Sequence, residues 1–483
     1  MRATFAGIEI ARRALQAQRY GLDVTGHNIA NANTPGYSRQ VVRLSPVEPS
    51  PFADYGAPSA ARVGGGVSVD QVVRVKDAFV QDQLNAQLQS LGYWQARSQI
   101  LGELERALLE PSDAGIRAAM DGFWQALQEL SGNPESMSSR ATVRERALIL
   151  TETLRGTYER LATFRRQLDA EVRADVTDLN ALAERVAELN RRIREAEGMG
   201  GIPNDLYDER DRLIEGMARL ADVRVTERRD GTVAVTIGGV AMVDGAHYRR
   251  IVITDGDHGF ASLHWEQSGA PVQLRAGALH ARLEGRDVTV PELIAELNAL
   301  ARALIEGVNA VHEKGFGLRD DPGAGPPGRR FFTTLGSQDG EPLDLDEAAA
   351  RITLAGAILA DAANIAASVS GAPGDGENAR AIARVFQERL MANGTATLTE
   401  YLASVVGGLG VKTQGANRMA EHQDVLVGHL ERLRASVSGV SLDEEMTLLI
   451  QFQHAYTAAS RLVTAIDQVI ETLINRTGLV GRA

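Results

Sequence analysis

The chain has 483 residues, room for about three domains of ~150 residues each, with ordinary apolar content. Its formal net charge of −12 argues against a nucleic-acid or anionic-membrane partner, since either needs a basic face. It has no cysteine, which excludes disulfides, thiolate nucleophiles and cysteine-based metal sites.

Residues 1–20 interrupt every apolar cluster with Glu9, Arg12, Arg13 or Arg19, so they lack the h-region of a cleaved secretory signal. No later run reaches the ~20 apolar residues of a membrane span. Ile8, Leu15, Leu22 and Ile29 fall on one line seven apart, and Ile10, Ala17 and Val24 on a second, with Ala11, Ala14 and Gly21 between them. This seam predicts a helix too thin in large side chains to be stable alone. The stretch 28–39 stops it. Pro35 biases Thr34 out of the helix, Gly36 permits a turn, and asparagines such as Asn31 and Asn33 suit capping.

Helical spacing returns over 142–195. Leu154, Leu161 and Leu168 lie seven apart, as do Val172, Leu179, Val186 and Ile193. Such a helix is about 80 Å long and suits a rod. Gly198, Gly200, Gly201 and Pro203 end it, and a short helix over 210–220 follows. The pattern then switches to period two: Val223 and Val225, a turn at Asp230-Gly231, then Val233, Val235 and Ile237. Further strands are expected over 250–253, 261–265 and 278–283. Helices resume over 290–314, a loop rich in Gly, Pro and Asp covers 315–328, and from 377 the chain is again helical.

The last helix carries the clearest pattern. Leu449, Phe452, Tyr456, Ala459, Val463, Ile466, Ile470 and Leu473 form a heptad seam, and Ala455, Ala458, Leu462, Ala465 and Val469 a second stripe. The other face is mostly uncharged, which suits a helix surrounded by protein or lining a wet channel. Ser441 and Glu444 read as a capping box, and Asp443, Glu444 and Glu445 as first-turn acids facing the helix dipole.

Candidate chemistry is thin. Gly64-Gly65-Gly66 lacks the Gly-Lys-Ser/Thr of a P-loop and reads as a turn. Asp255, Asp257 and Glu266 mimic three calcium-loop positions, but Gly259 and Phe260 stand where a ligand and a glycine belong. His422 and His429 have no third ligand nearby. No catalytic, cofactor-binding or metal residues are therefore assigned.

The segment NIANANTPGYSR, 28–39, resembles the signature shared by flagellar axial proteins of rod, hook and hook-filament junction. Its closing TPGYSRQ, 34–40, looks like the version in the hook-associated protein 1 family. Segments 66–84, 121–147, 204–213 and 438–466 are similar to that family's further motifs, in order, while 337–376 shows hardly any likeness. The resemblance implies a structural subunit, not an enzyme, needing no cofactor. It implies export by the flagellar type III apparatus without cleavage to an extracellular site. There the subunit would form a ring of about one helical turn, with hook protein below and a second junction protein above. A cytoplasmic export chaperone would bind the C-terminal region, and neither nucleic acid nor membrane would be a partner.

The expected fold is α+β and elongated, with paired terminal helices and a long helical bundle carrying an inserted β-rich domain. The expected division is a coiled-coil-like terminal domain (1–35 with 440–483), a helical rod (36–203 with 377–439) and a β-rich outer domain (204–376). Assembly contacts are expected at Ile8, Leu15, Leu22, Ile29, Asn31, Asn33, Pro35, Gly36 and Tyr37, and along the seam from Leu449 to Leu473. Other readings are a hook or rod protein, which the long helix disfavours, and a secreted adhesin or enzyme with flagellar targeting ends.

Overall fold

The computed structural model describes residues 2–48, 64–110, 112–256, 259–337 and 342–476, and no side chain of 2–6, 473, 475 or 476. The chain opens with α1 (Arg2–Asn31), the antiparallel hairpin β1 (Gln40–Pro46) and β2 (Val67–Arg74), then α2 (Ala78–Leu108) and α3 (Ile116–Gly132). Helix α4 (Met137–Gly198) runs 62 residues, about 90 Å at 1.5 Å per residue. Ser136 caps its start by accepting the Ser139 amide. After α5 (Asn204–Leu220) come β3 (Val223–Glu227), β4 (Val233–Ile237), β5 (Val240–Asp244) and β6 (His247–Tyr248), one antiparallel sheet in that order. A separate hairpin pairs β7 (Ile251–Asp255) with β8 (Ala261–Trp265). The helical region then continues through α6 (Ala278–Glu284), a π-turn and α7 (Val290–His312). The short elements β9 (Phe332–Thr334), α8 (Ala348–Arg351), β10 (Ile352–Leu354) and α9 (Gly356–Ala360) lead to α10 (Glu377–Val385), α11 (Leu398–Ser438) and α12 (Leu442–Arg476).

The periodicities decide which faces are buried. Every heptad position read in α4, from Leu154 to Ile193, is buried. In β4 and β8 the alternation buries Val233, Val235 and Ile237, and Ala261, Leu263 and Trp265. Two hydrophobic clusters result, and α4 is the spine of both. The first gathers its N-terminal half with the end of α2, α3, α7, α10 and the start of α11 around Phe123, Phe331 and Phe332. The second gathers its C-terminal half with the start of α2, α5 and the strands around Met217 and Trp265.

Two expectations are corrected. Residues 278–283 are helical, not extended. Leu279 and Leu283 fit period two, but they also lie one helical turn apart. The Ala, Leu, Arg and Glu residues of this stretch are strong helix formers. The segment 204–376 is not one β-rich unit either. Its strands join the second cluster, while α7, Phe331, Phe332 and α8–α9 join the first, because α7 lays an apolar face on α4.

Between the clusters α4 carries Asp169, whose carboxylate accepts from the Ala261 amide (2.7 Å), Arg286 (2.5 Å) and Arg173 (2.8 Å). The π-turn (Gly285–Thr289) delivers Arg286 to it, and Gly285 lies against Ile100 and Leu168. On the same stretch of α4, Glu171 and Asp175 pair with Arg282. Burial still pushes the Asp175 carboxyl up to about 6.

Candidate assembly interface

Helices α1 and α12 pack antiparallel. Gly7 faces Ile466, Gly21 lies under the Phe452 ring, and Asn28 reaches Glu445. The glycines permit this approach: a Cβ on Gly21 would stand 2.7 Å from the Phe452 ring.

The pair leaves much of its seam uncovered. Ile8, Leu15, Leu22, Ile29, Leu449, Phe452, Val463, Ile466 and Ile470 are half-buried, and Ala459 is buried. Tyr456 is 40% exposed, and Leu442, Met446, Ile450, Leu462 and Val469 are exposed as well. The apolar face of α12 is thus wider than one helix covers. The side chain of Leu473 lies outside the described residues. At the end of α1, Asn31 donates to the His27 carbonyl and accepts from the Thr34 hydroxyl. Asn33, Pro35 and Gly36 are exposed, with Gly36 at φ +80°.

Below that turn is a polar seat that the periodicities do not reveal. Asn28, nearly inaccessible, uses all four of its hydrogen-bonding positions. Its Oδ1 accepts from the Tyr37 hydroxyl (2.8 Å) and the Gln40 amide (3.0 Å). Its Nδ2 donates to the Gln40 carbonyl (2.9 Å) and Glu445 (3.1 Å). With the Tyr37 proton committed to Asn28, the His27 Nδ1 contact at 2.9 Å makes the imidazole the donor. Burial first, and then the charges of Asp205, Asp208 and Glu445, push the Tyr37 phenol far above its usual range. It therefore stays a hydroxyl.

Arg39 grips both Glu445 (2.7 Å) and Glu444 (2.9 Å). The acid triplet is therefore more than a match to the helix dipole, since Glu445 is a buried charge with two partners. The capping box is half formed. Ser441 accepts the Glu444 amide at 3.5 Å, while the Glu444 carboxylate goes to Arg39.

Helix α5 supplies the rest. Asp208 accepts the Ser38 amide on one oxygen (2.9 Å) and Arg74 on the other (2.7 Å). Arg74 and Lys76 also hold Asp211. Burial raises the Asp208 carboxyl above its ordinary range despite Arg74. Burial also opposes the Asp211 charge, but Lys76 and Arg74 outweigh it and lower that carboxyl. Gln40 donates to Asp205, and Asn204 to the Val72 carbonyl.

Sequence reading singled out the helix seams and missed Asn28, Arg39, Asp208 and Glu445 as a unit. A signal for it existed. These residues lie in three of the segments that carry the family likeness, 28–39, 204–213 and 438–466, and those segments converge here.

The other candidates dissolve. Gly65 donates to the Val47 carbonyl, and Gly66 packs on Ile10. Asp255 pairs with Arg173, and Asp257 lies outside the described residues. His422 and His429 are both exposed on α11. No group of three His, Asp or Glu among the described residues could hold a metal, and no described helix is long and apolar enough to cross a membrane.

The Bacillus subtilis flagellar hook-associated protein 1 is 33% identical to this chain over 515 aligned positions that span both proteins. The chain belongs to the flagellar hook-associated protein 1 family. The Escherichia coli member is 24% identical over 97% of the chain and 99% of its own length. Three family models match in chain order: the flagellar basal body rod protein over 8–37, the helical domain of the flagellar hook-associated protein FlgK over 101–332, and the C-terminal segment of the basal body rod FlgEFG proteins over 434–476. The fold is that of the hook junction protein FlgK from Burkholderia pseudomallei, with a TM-score of 0.64 at 18% identity, covering 74% of this chain and all of that one. The two rod-type models fall on α1 and α12, so the family likeness and the uncovered seam coincide. This is a component of the flagellum.

Proposed function

We propose that this chain is a structural subunit of the hook-filament junction and acts by packing rather than by catalysis. It leaves the cell through the flagellar type III apparatus and joins a ring of about one helical turn, between hook protein and a second junction protein. The observation that carries this reading is the α1–α12 pair, whose large seam side chains remain half-exposed in the single chain. A wide apolar face with a neutral polar face beside it needs further protein to cover it. Copies of the same pair supply that cover, with Ile8, Leu15, Leu22 and Ile29 on one helix and Leu449 to Ile470 on the other. Before export, the same uncovered α12 face is where a cytoplasmic chaperone would bind.

Imaging a deletion strain tests the class. Cells with hooks, no filaments and flagellin lost to the medium are expected. Normal filaments on such cells refute the proposal.

A further inference from the structure

Among the described residues of 7–48, 64–74 and 442–474, none belongs to either hydrophobic cluster. The β1–β2 hairpin and α12 both pack on α1, and the three form an arm. Polar groups seat that arm on the rod, the body that the two clusters build. The Arg39 amide donates to the Ser438 carbonyl, Gln40 reaches Asp205, and Asp208 takes both legs of the hairpin, Ser38 before β1 and Arg74 at the end of β2. Arg74 is nearly buried and stacks over Tyr207, 4.7 Å from the ring centre.

A shared apolar core fixes orientation through close packing over many atoms. A polar seat fixes it through a few directional bonds, so losing one of them releases a degree of freedom that a packed core would still hold. We infer that the arm is a separately settable unit, and that Asp208 with Arg74 is the lock that sets its tilt on the rod. Arg74 and Asp208 are then positioning residues: nearly buried within the single chain, they decide where α1 and α12 present their seams. Their use in assembly rests on the junction reading above. The lock itself does not, because it is measured on the purified single chain.

The absence of cysteine makes the measurement direct. Cysteines are placed at the exposed Arg19 on α1 and at Gly415 on α11, where a side chain meets nothing within 4 Å, and both are spin-labelled. The distance distribution between them should be single and narrow. Arg74→Ala and Asp208→Asn should broaden it, and Arg74→Lys, which keeps the charge, should leave it narrow. Of the three tryptophans, Trp94 and Trp124 pack against the first cluster and Trp265 lies in the second, so unchanged emission reports that both clusters stay folded. Arg74 belongs to the arm, and its removal leaves both clusters intact. A broad distribution in the unmodified seat overturns the inference. So does one that Arg74→Ala leaves narrow, or one that Arg74→Lys broadens as much as Arg74→Ala.

Discussion

Gly21 and Gly26 lie five residues apart on one helix and should respond to substitution with opposite signs. A side chain on Gly26 meets nothing within 4 Å, whereas one on Gly21 collides with Phe452. Gly26→Ala should slow amide exchange across α1, reflecting a gain of about 0.5–1 kcal/mol in helix stability. Gly21→Val should speed it, because overpacking costs about 1–3 kcal/mol and pushes α12 away. Equal effects would mean that α1 and α12 do not touch along this line. A second single-residue effect concerns pH. His312 is fully buried, with Nδ1 donating to the Arg329 carbonyl (2.7 Å) and Nε2 accepting the Ala366 amide (2.9 Å). Only the neutral ring can do both. Burial pulls its pKa down to about 4, so the folded state binds fewer protons than the unfolded one between about pH 4 and 6.5. The stability this neutral ring supports is complete above 6.5 and lost as pH falls towards 4, by at most about 3 kcal/mol. His312→Gln should be less stable than the parent at pH 7.5, and the gap in urea midpoints should close towards pH 4. A gap that stays constant rules this out.

At the scale of elements, α4 and α12 were the most legible, because long heptad patterns leave little choice of face. The α6 segment was misread because seven residues of alternating apolar character do not separate strand from helix. The arrangement of the short elements β9 to α9 could not be read at all. Their order comes from packing around Phe331 and Phe332, to which periodicity is blind. The same packing difference sets a stability gradient. Helix α4 buries a continuous stripe, whereas α1 and α12 fully bury few large apolar side chains. Amide exchange should therefore be far faster over 7–31 and 442–470 than over 172–193. Matching protection in all three would show that the arm is as secure as the rod and would remove the case for a missing cover.

For the whole molecule, the sequence motifs gave the kind of protein, and the helix patterns gave the paired ends. The seat between arm and rod stayed hidden because its members are separated by hundreds of residues and obey no period. Asn28 and Arg39, Asp208, and Glu445 become neighbours only in three dimensions. Arm and rod should accordingly fail separately. Ile466→Asp places a charge in the half-buried seam at a cost of several kcal/mol once neighbours close over it. Filaments should be lost while tryptophan emission and the main thermal transition of the purified chain stay unchanged. Normal filaments, or a collapse of the main transition, would count against this separation.

Asn28 and Glu445 stand 417 positions apart along the chain yet share a hydrogen bond. A chain that leaves a ribosome or threads a channel N-terminus first presents Asn28 long before Glu445. Throughout that passage α1 has no α12 to lie on, and the thin α1 seam does not hold a helix by itself. The arm therefore closes only after residue 445 has emerged, and a product cut short before α12 cannot form it. A chain ending at residue 440 should keep native tryptophan emission while α1 loses its helical signal and exchanges its amides as fast as an unstructured peptide.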